Sequence, residues 1–134
     1  MRFNLVAILF VVLFSQNAVA KECWGLTELK GQMAMGHEKY VFHLDGFSKP
    51  MVLWFNDEKT GSVSGDDTSL FRFGTSTLIG SVKNNDLELV ETYQLDRANG
   101  KVLFTKSRIG TEAMIPGSLN VIGAFVGKAS KLSQ

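Results

Sequence analysis

The chain has 134 residues with 14 basic and 13 acidic side chains, and 45% of it is hydrophobic. A formal charge of +1 supplies no basic surface of the kind that binds nucleic acid, and no electrostatic pull toward an anionic membrane. A single cysteine, Cys23, excludes an internal disulfide framework, so the fold must stand on packing.

Residues 1–20 read as a cleaved signal peptide. Arg2 is the positive start, Leu5–Phe14 is an apolar core, and Ala18-Val19-Ala20 is an A-x-A cleavage site, with the cut between Ala20 and Lys21. The apolar core is half the roughly 20 residues that a spanning helix needs, and Ser15, Gln16 and Asn17 end it. No integral membrane segment is expected after cleavage. Lys21 and Glu22 separate Cys23 from the cut, which argues against lipidation, and a lone arginine argues against a twin-arginine signal. Arg2 leaves with the leader, so residues 21–134 carry balanced charge and are expected to form one domain. The expected place is the bacterial periplasm, with secretion as the alternative; the absence of N-x-[ST] sequons fits a bacterial source. Cys23 is expected to be a small buried residue rather than a reactive thiol.

From Lys21 onward the period is mostly two. Glu22–Leu29 is the exception and predicts one short helical turn, with Trp24 and Leu26 packing on a sheet. Tyr40, Phe42 and Leu44 alternate with Val41, His43 and Asp45, as in a half-buried strand. Pro50 precedes Met51–Phe55 (MVLWF), a continuous apolar run that predicts a strand buried on both faces. Phe71 and Phe73 alternate with Leu70 and Arg72. Leu87, Leu89, Tyr93 and Leu95 alternate with Glu88, Val90, Thr92 and Gln94. Val102 and Phe104 begin another strand, and a Gly-, Ala- and Val-rich strand over Val121–Ala129 closes the chain. Turn signals fall at Asp45-Gly46, Asn56–Gly61, Gly65-Asp66-Asp67, Lys83–Asp86, Asn99-Gly100 and Pro116-Gly117.

Asn99-Gly100 predicts a hairpin of either two or four loop residues. In both registers Tyr93, Leu95, Val102 and Phe104 share one face, and Glu91 meets either Arg108 or Lys106 on it. That face runs from apolar near the turn to charged at the far end, as it would at a cavity mouth with a polar rim. Eight or nine such strands predict an all-β fold. Closure removes exposed edges, so a single antiparallel barrel of about eight strands is expected, with Gly123 and Gly127 suiting the curvature at the seam; a two-sheet β-sandwich is the alternative. In size, leader and strand count the chain resembles lipocalins in architecture, although it has Trp24-Gly25 where that family carries Gly-x-Trp.

Catalytic patterns are absent. The two histidines, His37 and His43, match no zinc spacing, and His37-Glu38 lacks the second histidine of H-E-x-x-H. Gly61–Gly65 is no nucleophile elbow and Ser48-Lys49 no S-x-x-K. Asp66-Asp67 reads as a turn-capping pair rather than a calcium site. No catalytic residue, metal or cofactor is assigned. The expected function is that of an exported, non-enzymatic barrel binding a small apolar ligand or an envelope protein. Its candidate ligand-binding residues are Tyr40, Phe42, Trp54, Phe73, Tyr93 and Phe104. A protein-interaction or inhibitor module with a solid core is the alternative, and a hydrolase-type enzyme using a histidine comes last. If the last strand pairs along residues 101–109, then Lys101, Thr105–Arg108, Lys128 and Lys131 are expected to form a basic strip.

Overall fold

The structure is a computed structural model that describes residues 21–66, 68–111 and 115–133. Residues 1–20, expected to be a leader, and Asp67 lie outside these residues. Nine strands follow one another, all in antiparallel pairs: β1 (Glu22–Met35), β2 (His43–Phe47), β3 (Met51–Phe55), β4 (Thr60–Val63), β5 (Leu70–Arg72), β6 (Thr77–Lys83), β7 (Leu87–Asp96), β8 (Lys101–Gly110) and β9 (Val121–Leu132). A 3₁₀ turn, Gly36–Glu38, joins β1 to β2. Sequential neighbours pair from β3 to β9, and β1 closes the circle by pairing with both β3 and β9. The result is a closed eight-stranded barrel with β2 as an extra strand outside it.

The seam between β1 and β9 corrects the helical turn expected over Glu22–Leu29. Thr27 pairs with Lys128 and Lys30 with Val126, so β1 carries one extra residue there, a β-bulge. Glu28 takes a φ of 53° in the bulge, and its carboxylate reaches Lys128 at 2.9 Å. The bulge resets the alternation, so Leu26 and Leu29, three residues apart, both sit in the interior. Their helix-like spacing is the mark of a bulged strand. Gly127 lies opposite, where a Cβ would stand 2.9 Å from the Thr27 carbonyl oxygen, so only glycine lets the strands meet.

Asp45-Gly46, expected as a turn, lies inside β2. The break comes instead at Ser48-Lys49-Pro50. Phe47 pairs with Leu29 and Met51 with Leu26, so β2 and β3 run along the same edge of β1 as one interrupted strand. Met51–Phe55 buries one face fully, through Leu53 and Phe55, while Trp54 on the other face is half-buried. The interior is one continuous apolar core that includes Trp24, Leu26, Leu53, Phe55, Leu78, Tyr93, Val102, Phe104 and Phe125. At one barrel end Arg97 lies over the rings of Trp24 and Phe55, at 5.8 and 5.4 Å. It also donates to Ser76 Oγ at 2.6 Å and to the Thr75 carbonyl at 2.7 Å, tying strand ends together. Burial raises the Glu22 pKa, but hydrogen bonds from Trp24 and Arg97 outweigh it and hold the carboxylate ionised at this end.

Candidate functional site

The opposite end of the barrel holds the charged interior. The hairpin of β7 and β8 has the four-residue loop, with Leu95 opposite Val102, Tyr93 opposite Phe104 and Glu91 opposite Lys106. Strand alternation therefore carries one inward face from Val102 through Phe104 to Lys106 and Arg108. The rings at this transition pack together. Tyr93 stacks on Phe104 at 4.8 Å, Phe104 lies 5.8 Å from Phe125, and Phe47 of β2 meets Phe125 edge-on at 5.0 Å. Tyr93, Phe104 and Phe125 are buried, whereas Phe47 keeps 38% of its surface exposed. These rings mark where the inward face changes from apolar side chains to the partly buried Lys106 and Arg108.

Glu91 sits at that boundary and is only 2% exposed. Gly80 pairs with it from β6, and a Cβ there would lie 3.2 Å from Glu91 Cγ, so the glycine makes the room into which the side chain tucks. Burial pushes the Glu91 pKa up, and the negative charge of Asp66 pushes it further, against the opposing pull of Lys106. The interaction of the two carboxyls shifts them apart, Glu91 upward and Asp66 downward. Asp66 takes the opposite course. Burial raises its pKa, but the Thr68 hydroxyl and N–H, at 2.6 and 2.8 Å, together with Glu91, hold it below the ordinary range. Burial also raises the pKa of Tyr93, whose hydroxyl donates to Glu91 Oε1 at 3.4 Å. The described residues leave no buried side-chain polar atom without a partner, so the boundary is a satisfied network. Farther out, Arg108 Nε donates to the Leu119 carbonyl at 2.8 Å.

Of the six residues expected to line a ligand site, the structure brings two together inside the barrel, Tyr93 and Phe104. Tyr40 and Phe42 precede β2 and are about half exposed, Phe73 follows β5 at 68% exposed, and Trp54 occupies the outward face of β3. The apolar alternation of Tyr40, Phe42 and Leu44 marks the face turned away from the interior, because β2 begins at His43 and turns Phe47 toward Phe104 and Phe125. The alternation that matters is His43, Asp45, Phe47, which ends in the ring that enters the barrel. Phe47 and Phe125 are the lining residues that composition alone did not single out.

The basic strip does not form as expected. Lys101 and Lys128 pair on the outer face, with Lys128 engaged by Glu28, while Lys106 and Arg108 point inward. Both histidines flank one carboxylate, with His37 Nε2 at 3.8 Å and His43 Nδ1 at 3.6 Å from Glu38, on the exposed β1–β2 connection. Beside it a shallow trough of about 630 Å³ runs along Lys30–Gln32 and Leu44–Gly46. Among the described residues no group of three His, Cys, Asp or Glu side chains converges as a metal site. Asp66 instead caps its own turn, while its neighbour Asp67 lies outside the described residues. Cys23 is a buried free thiol. Among the described residues no helix is long and apolar enough to cross a membrane. Comparison with protein-family models, curated proteins and solved structures finds no match.

Proposed function

We propose that this protein is an exported, non-enzymatic binding barrel whose ligand is a small, mainly apolar molecule with an acidic head group. One observation carries the reading: a single inward face passes from stacked aromatic rings to Lys106 and Arg108, with Phe47 half-open beside it. The rings of Phe47, Phe104 and Phe125 offer an apolar seat, and the two cations beyond them offer charge-assisted hydrogen bonds. The leader supports export to the periplasm, and the buried lone cysteine fits an oxidising place without a disulfide.

The test is titration with a fluorescent fatty acid and with the matching fatty alcohol. The acid is expected to bind and to raise the melting temperature. Lys106→Met is expected to remove its preference over the alcohol. Equal binding of acid and alcohol refutes the head-group assignment, and no binding of either refutes the ligand reading.

A second reading, a protein-interaction module docking an envelope protein, is supported by a different observation. Among the described residues β2 pairs only with β1, which leaves its other edge free, and the segment around it exposes large apolar side chains.

A further inference from the structure

The free edge of β2 is unusual in its chemistry. Edge strands are ordinarily blunted by lysine, proline or a bulge. β2, His43-Leu44-Asp45-Gly46-Phe47, is short and carries one acidic side chain, Asp45, but no lysine, proline or bulge, and Leu44 at its centre is 84% exposed. Tyr40, Val41 and Phe42, immediately before it, are also exposed.

We propose that the occupant of this edge is β2 of a second copy of the chain, paired antiparallel with Leu44 opposite Leu44 across a two-fold axis. This rests on the second reading above, that the β2 edge docks another chain, and names the chain. The register follows from complementarity. Directly opposite residues of an antiparallel pair point to the same side of the sheet, so only registers that match inward with inward residues continue the sheet. With Leu44 on the axis, His43 faces Asp45 of the other copy, and Asp45 faces its His43, which sets a basic side chain against an acidic one twice. Phe42 falls opposite Gly46, where a ring covers a bare backbone, and Val41 falls opposite Phe47. Moving the axis to Asp45 places two carboxylates together, and moving it to His43 places two imidazoles together and sets Asp45 against Val41. Of these three registers within β2, the Leu44 one joins opposite-type side chains with apolar pairing, in the isologous form that a two-fold interface requires. Lys39 and Lys49-Pro50 bound the segment on either side and limit pairing to it.

Sedimentation velocity over a concentration series, with amide exchange of residues 43–47, tests this. The wild type is expected to shift to twice the monomer mass with rising concentration and to slow exchange along β2. Leu44→Lys is expected to stay monomeric with an unchanged melting temperature, because an exposed position carries no folding burden. In the wild-type background, Leu44→Cys is expected to cross-link to itself on mild oxidation, while Ile122→Cys, exposed on the barrel's outer face, does not. A dimer that survives Leu44→Lys, or equal cross-linking at both positions, overturns the proposal. A monomeric wild type at every concentration also overturns it. If envelope extract then slows β2 exchange in that monomer, only the choice of partner was wrong; if nothing does, the interaction reading fails as well.

Discussion

Gly31 on β1 is the position at which barrel closure is most exposed to a single methyl group. A Cβ there would fall inside van der Waals contact of the Ala124 carbonyl oxygen and 2.7 Å from Phe125 Cα, both backbone atoms of β9. Neither can swing away as a side chain would, so Gly31→Ala must push the seam apart beyond its usual spacing of about 4.8 Å. Overpacking of this kind costs about 1–3 kcal/mol. The ladder bonds lost beside the Gly31–Phe125 pair add about 1 kcal/mol each. Alanine returns about 0.4–1 kcal/mol by restricting the unfolded chain. The expected net loss is about 2–4 kcal/mol from a total of about 5–15 kcal/mol. Gly25, on the same strand and the same seam, is the control. Its Cβ would meet only the Leu132 side chain at 3.4 Å, so Gly25→Ala is expected to change stability by less than about 1 kcal/mol. Urea unfolding followed by Trp fluorescence, with Trp24 and Trp54 as reporters, measures both, and the Gly31→Ala midpoint should fall by about 1–2 M. A Gly31→Ala protein as stable as the wild type, or equal losses at the two glycines, would refute the account of closure.

Glu91→Gln is expected to flatten the pH dependence of stability. The raised Glu91 pKa means that its contribution is complete below the ordinary carboxyl value of 4.5 and is lost as pH climbs through the raised value. Glutamine is neutral at every pH, so melting temperatures measured from pH 4 upward should diverge in favour of the variant. The lowered Asp66 works oppositely, and Asp66→Asn should therefore cost stability above its ordinary value of 3.8, with the cost shrinking as pH falls through the lowered one. Phe104→Ala removes the ring that touches Tyr93, Phe125 and Phe47 and is expected to cost about 3–5 kcal/mol by calorimetry. Arg97→Lys keeps the charge but loses the planar fork that bridges Ser76, Thr75 and Glu22, and should cost about 1–2 kcal/mol in urea unfolding.

The carboxyl pair shows how a site is assembled from distant pieces. Glu91 and Lys106 share a face in any register of the Asn99-Gly100 hairpin, because a shift by two preserves parity. Asp66 arrives from the turn between β4 and β5, far away in sequence, and nothing in the local pattern places it there. Phe47 and Phe125 enter the same space from β2 and β9 by the same long-range route. Tyr40, Phe42 and Phe73 look like lining residues because they alternate, but alternation does not say which face turns inward when the strand itself begins three residues later or ends one residue earlier.

Period-two hydrophobicity and turn chemistry are local properties of the chain, and they determined the all-β class, most strand positions and the β7–β8 face, leaving barrel and sandwich both open. Closure, the bulge at Glu28, the interrupted β2–β3 strand and its free edge were decided only by the tertiary structure. Each depends on a strand meeting a partner remote in sequence, at glycines where two backbones approach closely, and a one-residue slip in that meeting reverses every side chain that follows.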